Sequence, residues 1–321
     1  MSQINYMILV HKNPKQFCRL VESLDAQWCS FFIHVDKKSL VEDFKDLVPE
    51  KDNVFYVPDK LRIEGRWGDL SLVDAALMCM RLALGKKADG HFVLLSGQDY
   101  PLRSPEYIRD FFERHRDNDF MSVYPIPDPK KASENGGMER LISYTYDCRN
   151  PYDSRMKAKI QPLSLRPKTI LGFFRLLKYR RDLLSKAIKS YFVKREYPEI
   201  LSRRFNEFWC ALRKPSIEKI VAAFDNHPEI REYYKYTHIP DETAFSSILL
   251  TNPDYEREVQ PMCHYIDWEN GVAGSPKTLT EGDLPQIRKS MVEKKYLLFA
   301  RKFEEDAFVL NQIDDMLKEG L

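Results

Sequence analysis

INYMILVHKNPKQFCRLVESLDAQWCSFFIHVD, residues 4–36, contains the strongest indication of the fold in this sequence. It begins with the largely apolar run Ile4–Val10 and continues through Pro14–Leu24, where apolar side chains recur at helical spacing. It ends in a second apolar run at Phe31–Val35. A strand, a helix and a second strand in this order predict a βαβ unit, because parallel strands need a crossover that is usually a helix.

The same alternation continues to residue 124. It predicts strands at Asn53–Val57, His91–Ser96 and Phe120–Tyr124, and helices at Leu70–Leu84 and Pro105–Arg114. This pattern indicates an α/β fold in which helices cover a mostly parallel sheet. Ligands of such folds bind outside the carboxyl ends of the strands. The polar segments expected there are His11-Lys12-Asn13, Asp36-Lys37-Lys38-Ser39 and Ser96-Gly97-Gln98-Asp99.

Residues 125–204 interrupt the alternation. Pro125–Gly137 is rich in proline, glycine and polar residues and predicts a loop. Residues 166–204 contain twelve Lys or Arg against three Asp or Glu, a net charge of +9, with apolar residues recurring between them. This basic amphipathic pattern is typical of a solvated helical face. Contact with an anionic membrane surface or a lipid-diphosphate acceptor is the second interpretation, and nucleic acid is the third.

Regular elements return after residue 204. We predict a strand at Phe208–Leu212, helices at Ser216–Phe224, Asp241–Leu250 and Glu304–Leu317, and an extended run at Cys263–Ile266.

The composition is that of an ordinary globular protein. The chain has 321 residues, 43% of them hydrophobic, which suits one large α/β domain or a domain with a sizeable subdomain. The net charge of +2 carries no information about partners. The six cysteines form no C-x-x-C pair and the seven histidines no ligand spacing, so zinc and redox motifs are absent. The sequence contains no signal peptide and no apolar run of about 18 residues. We therefore expect a cytoplasmic protein with free thiols.

Seven further motifs follow one another along the chain. They are Ile33-His34-Val35-Asp36-Lys37-Lys38-Ser39; Arg66-Trp67-Gly68 with Ser71-Leu72-Val73; Leu94-Leu95-Ser96-Gly97-Gln98-Asp99-Tyr100-Pro101-Leu102; Pro240-Asp241-Glu242; Tyr265-Ile266-Asp267-Trp268; Gly274-Ser275-Pro276-Lys277-Thr278-Leu279; and Leu298-Phe299-Ala300-Arg301-Lys302-Phe303-Glu304. In these motifs the chain resembles the branching β-1,6-N-acetylglucosaminyltransferases and peptide O-xylosyltransferases of glycosyltransferase family 14. Residues 125–204 match no pattern of that family.

The resemblance implies a GT-A fold, in which a Rossmann-like, mostly parallel sheet with flanking helices is joined to an acceptor-binding half. One catalytic domain would span residues 1–321. Residues 1–124 would form its nucleotide-sugar-binding half, 125–204 a variable basic helical insertion, and 205–321 its acceptor-binding and catalytic half.

The resemblance also implies an inverting transfer from a UDP-sugar to a glycan or a lipid-linked glycan. N-acetylglucosamine is the first sugar we expect and xylose the second. Animal members carry a membrane anchor and a stem that this sequence lacks, so we expect a stand-alone catalytic domain of bacterial type. It would act in the cytoplasm, where residues 166–204 would bring it to the inner face of the membrane, and no nucleic acid partner is expected.

Inverting transfer is a single in-line displacement, and it needs a base for the acceptor proton. The resemblance assigns this role to Glu242. It begins a predicted helix, whose dipole favours an ionised acid. Either acid of the motif could instead cap the helix. We expect Asp241 to be the cap and to lie near the acceptor. Trp268 matches a tryptophan that packs against the acceptor sugar, and a buried core tryptophan is the alternative.

The departing diphosphate needs positive charge from a metal ion or from Lys and Arg. The D-x-D triplet Asp117-Asn118-Asp119 precedes a strand, which is the wrong end of the sheet for a ligand. We therefore predict a polar turn there, with no metal or other cofactor. The resemblance places Lys302 on the diphosphate, with Arg301 as a second donor or a structural partner. The family's other phosphate-binding arginine falls on Gly274 here, which leaves Lys277 or Arg301 to replace it.

The remaining candidates belong to the nucleotide edge of the predicted sheet. The resemblance places Asp36 near the uracil, with Val10 and His11 beside it at the end of the first strand. Trp67-Gly68 resembles a turn that packs beside the nucleotide, and a core tryptophan is the alternative. Asp99 occupies the position of a metal-binding acid in other GT-A enzymes, and a turn-capping aspartate is the alternative.

Two other functions stay open from the sequence. A glycoside hydrolase would use Asp99 and Glu242 as its carboxylate pair and would release free sugar without a nucleotide. A non-catalytic glycan-binding protein on the same fold would not be stabilised by UDP.

Overall fold

The computed structural model describes residues 3–128, 134–150, 152–153, 155–271, 275–305 and 307–318. Its strands are β1 (Ile4–Val10), β2 (Cys29–Val35), β3 (Val54–Tyr56), β4 (His91–Ser96), β5 (Asp99–Pro101), β6 (Asp119–Phe120), β7 (Val123–Pro125), β8 (Tyr144–Asp147), β9 (Lys157–Ile160), β10 (Arg204–Asn206), β11 (Ala211–Arg213), β12 (Val259–Gln260), β13 (His264–Ile266) and β14 (Phe299–Arg301). Its helices are α1 (Pro14–Leu24), α2 (Glu42–Lys45), α3 (Ser71–Gly85), α4 (Pro105–Arg114), α5 (Met138–Ile142), α6 (Pro167–Tyr179), α7 (Leu184–Phe192), α8 (Lys214–Asn226), α9 (Pro228–Tyr234), α10 (Ala244–Leu249), α11 (Leu284–Glu293) and α12 (Ala307–Lys318).

The central sheet has the strand order β12-β6-β11-β4-β1-β2-β3. β1 pairs in parallel with both β2 and β4, and β2 pairs in parallel with β3. β11 is antiparallel to both of its neighbours, and β12 is parallel to β6. The predicted α/β fold with a mostly parallel sheet is therefore confirmed.

β1 is buried along its whole length because helices cover both faces of the sheet. Alternate side chains point to opposite faces. Tyr6 and Ile8 join the core that includes Phe17 and Leu20 of α1. Met7 and Leu9 point to the opposite face and join the core under α3, α8 and α10. This double layer fixes the carboxyl ends of β1, β2 and β4 at one edge of the sheet.

Several predicted boundaries differ from the structure. The single strand predicted at Phe120–Tyr124 is two strands, β6 and β7, and β7 leaves the central sheet to pair with β10. The helix predicted at Asp241–Leu250 is a 3-10 turn at Pro240–Glu242 followed by α10. A short apolar run does not reveal where a strand changes its partner, because that choice is made by distant segments.

A small second sheet joins the C-terminal region to the carboxyl edge of the central sheet. Its order is β13-β14-β5, and its register places Arg301 opposite Asp99. This sheet holds the last sequence motif next to the Ser96–Asp99 turn.

Residues 144–150 and 155–192 build a small unit with its own core. The hairpin of β8 and β9 packs with α6 and α7 around buried Tyr146, Ile160 and Leu176. The sequence predicted helical character here and missed the hairpin. Among the helices formed by the described residues, none combines the length and the apolar composition that crossing a bilayer requires.

Candidate active site

The Pro240–Glu242 motif is a 3-10 turn held in a strained position before α10. Ile239, which precedes it, has φ 53° and ψ 60°, a left-handed conformation that is costly for a β-branched residue. The Glu242 amide donates to the Ile239 carbonyl at 3.2 Å. Asn206 of β10 donates its side-chain amide to the Asp241 carbonyl at 3.0 Å. Strained backbone of this kind is frequent at functional sites, and these hydrogen bonds hold it in place.

Glu242 is partly exposed and is held by an arginine from the region between β7 and β8. Nη1 of Arg140, in α5, donates to Oε2 of Glu242 at 2.5 Å. The Arg140 guanidinium also lies 5.0 Å from the centre of the Phe205 ring, which is a cation–π distance. The ion pair orients the carboxylate and leaves part of the side chain open to solvent.

Asp241 does not cap a helix, so that prediction was wrong. The N-cap of α10 is Thr243, whose φ of −142° separates the turn from the helix. The Asp241 carboxyl is buried, and its Oδ1 has no hydrogen-bond partner among the residues that the structure describes. Burial, and after it the charge of Glu242, raise the pKa of Asp241 to about 7. An acceptor contact by Asp241 stays a prediction, and its buried position does not favour it.

The Trp67-Gly68 turn packs against the segment that carries Glu242. The Gly68 carbonyl accepts a hydrogen bond from the Ile239 amide at 3.1 Å. Gly68 has φ 75°, a backbone conformation that favours glycine. The Trp67 ring is partly buried and meets His238 edge-on, with 5.7 Å between ring centres. Trp67 is therefore a wall of the candidate site and not a fully buried core residue.

Val10, His11 and Asp36 lie together at the carboxyl ends of β1 and β2. The Asp36 amide donates to the Val10 carbonyl at 2.8 Å. The Asp36 carboxylate accepts hydrogen bonds from the amides of Lys38 and Gly65, both at 2.8 Å. His11 is exposed at the same edge. The Asp36 carboxylate is thus fixed by two loops before any ligand arrives.

His34 is a structural residue of this edge that the sequence analysis did not single out. It is buried, and its Nε2 accepts a hydrogen bond from the Ile63 amide at 2.8 Å. Burial lowers the pKa of His34 to about 4, so the ring is neutral at neutral pH and can accept this bond. His34 therefore ties the loop that precedes Trp67 to β2.

Lys12 pairs with Glu304 at the carboxyl edge of the sheet, and Lys302 lies within range of the same charge. Nζ of Lys12 lies 2.8 Å from Oε2 of Glu304, and Nε2 of Gln98 donates to its Oε1 at 2.8 Å. Lys302 is partly buried. Burial lowers the pKa of Lys302, and the charge of Glu304 opposes this change. The sequence places Lys12 at this edge and contains no signal for its role. Lys12 is therefore a candidate site residue that the sequence pattern did not reveal.

Arg301 has the geometry of a structural partner and not of an open phosphate donor. Its Nη1 lies 3.4 Å from Oδ1 of Asp99, and both residues are buried. The Trp209 ring lies 3.8 Å from the guanidinium carbon. Burial, and after it the charge of Arg301, lower the pKa of the adjacent His264 to about 3. The neutral His264 ring therefore adds no charge to this buried ion pair.

Asp99 has the geometry of the turn-capping alternative. Its Oδ2 accepts from the Ser96 amide at 2.7 Å, and its Oδ1 accepts from the Ser96 hydroxyl at 3.1 Å. Because Asp99 is fully buried, it does not share an open cleft with Glu242. The carboxylate pair that a glycoside hydrolase needs is therefore not formed by these two residues.

Lys277 and Trp268 lie in the loops around β13 and β14. Lys277 forms an ion pair with Asp283 at 2.5 Å, so its charge already has a partner. Trp268 is 44% exposed, and the buried-core alternative for this residue is therefore wrong. Gly274 lies outside the described residues.

The D-x-D triplet is not simply a polar turn. Asp117 lies in the turn after α4, but Asp119 begins β6 and is buried. Its carboxylate accepts from the Arg213 amide at 2.5 Å and from the Ser216 hydroxyl at 2.6 Å. Asp119 therefore anchors β6 to β11 and α8. In the part of the chain that the structure describes, no group of three or more His, Cys, Asp or Glu side chains is arranged to hold a metal ion.

A series of contacts joins the lysine cluster to the candidate base. The charge of Arg155 acts on Lys302, and the Arg155 guanidinium lies 5.3 Å from the centre of the Trp67 ring. Trp67 in turn meets His238. Burial, and after it nearby cations that include Arg140, lower the pKa of His238 to about 3. Arg155, Trp67 and His238 therefore lie between the nucleotide edge and the Pro240–Glu242 turn.

The fold is consistent with a glycosyltransferase domain of the GT-A type. Its Rossmann-like sheet carries a fixed acid and cations at the carboxyl edge, and a partly exposed glutamate lies in the turn before α10. The family model described as Core-2/I-Branching enzyme matches residues 4–160. This match and the similarity to the relatives described next support membership of glycosyltransferase family 14.

Curated relatives extend the similarity over the rest of the chain. Xylosyltransferase 2 of Canis lupus familiaris and of Homo sapiens are each 26% identical over 94% of this chain, and a xylosyltransferase of Ciona intestinalis is 25% identical over 97%. The chain spans about a third of these relatives, 32% of the first two and 34% of the third. Because the family model reaches residue 160, the prediction that all of residues 125–204 lack a family pattern was wrong for 125–160.

Proposed function

We propose that this protein transfers a sugar from a UDP-sugar to a hydroxyl of a glycan or lipid-linked glycan, with inversion and with Glu242 as the general base. The observation that carries the proposal is the position of Glu242. It is a partly exposed carboxylate, oriented by Arg140, and His238, Trp67 and Arg155 lie between it and the lysine cluster of Lys12 and Lys302. A base and phosphate-binding cations on one surface are what a single displacement with a diphosphate leaving group requires.

In this mechanism the nucleotide lies at the carboxyl ends of β1 and β2. Val10, His11 and the fixed carboxylate of Asp36 face the uracil and ribose. The Asp36 carboxylate already accepts two backbone hydrogen bonds, so it is positioned before the donor binds. A pre-positioned group loses little entropy on binding.

Lys302 and Lys12 neutralise the diphosphate as the sugar leaves. Lys12 lies 2.8 Å from Glu304, and a diphosphate would compete with Glu304 for this lysine. Lys12 thereby takes the place of the family arginine that this chain lacks. Two lysines supply the positive charge that a manganese ion supplies in other GT-A enzymes, so we propose a transfer without metal.

The proton and the bonds balance in one step. The acceptor oxygen attacks C1 of the donor sugar, and the bond between C1 and the phosphate oxygen breaks. The acceptor proton passes to Glu242, and UDP departs with the bonding electrons. Arg140 orients the carboxylate, and Trp67 and the exposed Trp268 provide aromatic surfaces for the two sugars.

The donor sugar is either N-acetylglucosamine or xylose. The name of the matched family points to branching enzymes, whereas the curated relatives carry the name xylosyltransferase. A panel of UDP-sugars, assayed for UDP release with mixed glycan acceptors, distinguishes the two. We expect turnover with one of them. If UDP neither binds nor is released from any donor, the protein is a glycan-binding protein or acts on another substrate, and the proposal fails.

A further inference from the structure

Helix α6 has two apolar faces, and only one of them belongs to the protein core. Thr169, Gly172 and Leu176 are buried against β9 and α7. The fit is close, because a Cβ at Gly172 would lie 2.6 Å from the carbonyl oxygen of Lys159. The inward face of α6 is therefore fully packed against the protein.

The outward face of α6 carries a second apolar stripe. Ile170, Phe174 and Leu177 are exposed, with 63% of Phe174 open to solvent. Their spacing of four and three residues places them on one side of the helix. Leu171 lies next to this stripe and is also exposed. A helix face that is exposed only to water would carry polar residues at these positions.

The neighbouring segments extend the stripe. Phe192 of α7 is 68% exposed and Val193 follows it at the end of the helix. The Leu163 amide donates to the Tyr191 carbonyl at 2.9 Å, so the exposed Leu163 lies beside the end of α7. α6 and α7 pack against each other. We name the exposed apolar side chains of these two helices, together with Leu163, Leu165 and Val193, the α6–α7 surface.

Basic side chains surround the apolar ones. Residues 166–204 contain twelve Lys or Arg against three acids, a net charge of +9. Exposed members lie within α6 and α7 or directly after them: Lys178, Arg181, Lys189 and Lys194. A combination of exposed aromatic and aliphatic side chains with a basic rim is typical of a helix that lies in the headgroup region of a bilayer.

We propose that the α6–α7 surface docks peripherally on an anionic lipid bilayer. A second copy of the chain is a poorer occupant, because a symmetric contact would bring two strongly positive surfaces together. Nucleic acid would satisfy the charges and leave Phe174 and Phe192 in water. An anionic bilayer satisfies both, since its phosphates meet the lysines and its acyl region receives the apolar side chains.

Docking would also orient the candidate active site. The hairpin that packs under α6 carries Lys157, whose Cε lies 3.6 Å from where a Cβ of Gly68 would stand. Arg155 of the same region lies over Trp67. The α6–α7 surface is therefore attached directly to the wall of the site. This inference does not depend on the transferase proposal, because membrane binding is measured without donor or acceptor.

Vesicle flotation tests the inference. The full chain is mixed with vesicles of phosphatidylcholine alone or of phosphatidylcholine with phosphatidylglycerol, at low and at high salt. We expect flotation with the anionic vesicles only and a marked decrease at high salt, since part of the attraction is electrostatic. Equal recovery with both vesicles, or no flotation with either, overturns the proposal.

Two double variants assign the binding to this surface. Phe174→Glu with Phe192→Glu removes the apolar anchors, and we expect partition onto anionic vesicles to fall about tenfold or more. Val292→Glu, at an exposed apolar position on α11, is the matched control and should bind as the wild type does. Lys178→Glu with Lys189→Glu should remove most of the preference for anionic lipid.

Circular dichroism and UDP-induced thermal shift report on folding in each variant. Unchanged partition of the folded Phe174→Glu, Phe192→Glu protein contradicts the proposal. So does light scattering that shows a dimer dissociated by the same variant, or a DNA duplex that binds at a salt concentration where vesicles do not.

Discussion

Arg140 donates a 2.5 Å hydrogen bond to Glu242, although 102 residues separate them in the chain. Arg140 lies in α5, within the region that interrupts the strand–helix alternation, whereas Glu242 lies in the turn before α10. The variable region therefore supplies the partner that orients the candidate base. This pairing connects the region that interrupts the strand–helix alternation to the centre of the proposed chemistry.

Glu242→Gln tests the base. The amide keeps the size of the side chain and cannot take the acceptor proton. We expect the turnover number to fall about 10²- to 10⁴-fold, which is the usual contribution of general base catalysis. UDP binding, measured by thermal shift or calorimetry, should be unchanged. Glu256→Gln, at an exposed glutamate that pairs with Arg204, is the control and should leave both quantities as they are. Near-normal turnover of Glu242→Gln would remove this residue from the role.

Arg140→Met tests the positioning of the base. Methionine keeps an unbranched apolar stem and lacks the guanidinium donor, so the Glu242 carboxylate becomes free to turn away from the acceptor. A misplacement of about 1 Å can cost as much as a hundredfold in rate, and we expect the turnover number to fall about ten- to a hundredfold.

The split between kinetic constants separates positioning from a merely structural effect. The KM for the donor and the affinity for UDP should be unchanged in Arg140→Met, and Arg140→Lys should recover part of the rate. A variant that loses UDP binding and thermal stability together would show that Arg140 only maintains the fold.

Lys302→Ala and Lys12→Ala test the diphosphate contacts. A hydrogen bond to a charged group contributes about 1.5–3 kcal/mol, so each change should weaken UDP binding about ten- to a hundredfold. Uridine, which has no phosphate, should bind equally to both variants and to the wild type. Lys15→Ala, at an exposed lysine of α1, is the matched control. If Lys12→Ala binds UDP as the wild type does, Lys12 is only a partner of Glu304.

The raised pKa of Asp241 predicts a specific dependence of stability on pH. Its pKa is about 7 in the folded protein, against 3.8 for an ordinary aspartate. Below about pH 4 the carboxyl is protonated in both the folded and the unfolded state. As the pH rises towards 7 the unfolded state loses this proton first, so the contribution of Asp241 to stability falls across this range.

Asp241→Asn should remove this dependence. The melting temperature of the variant, relative to that of the wild type, should increase from about pH 4 to about pH 7 and then level off. The buried histidines His34, His238 and His264 have lowered pKa values, so their contribution to stability rises with pH over the same range. Both proteins contain these histidines, so the difference between the two melting temperatures cancels their effect. A difference in melting temperature that does not change with pH would contradict the assignment.

Excess EDTA tests the proposed independence from metal. Because Lys12 and Lys302 are expected to carry the diphosphate charge, the transfer rate should be the same with EDTA and with added manganese. Complete loss of transfer in EDTA, restored by manganese, would show that a metal ion supplies this charge.

The sequence alone was sufficient for the elements that local signals define. β1, α1, β4 and α4 begin and end where predicted. Both helices start at a proline, and both strands are continuous runs buried on two faces. The placement of Asp36 at the carboxyl edge follows from the same alternation.

The rest of the site depends on contacts between distant segments. Lys12 meets Glu304 across 292 residues, and no local pattern pairs them. The register of β14 against β5 directs Arg301 into a buried ion pair with Asp99, whereas its neighbour Lys302 stays partly open. The same reasoning explains the error at Asp241. Its burial is set by how the turn before α10 packs, and the motif itself contains no information about that packing.

The most direct test of the account is the anomeric configuration of the product. The protein is incubated with UDP-N-acetylglucosamine or UDP-xylose and a mixture of glycan acceptors, and the new linkage is followed by proton NMR together with UDP release. We expect a β-linked product from the α-linked donor, formed in excess EDTA by the wild type and not by Glu242→Gln. An α-linked product, or equal product from wild type and Glu242→Gln, would contradict it.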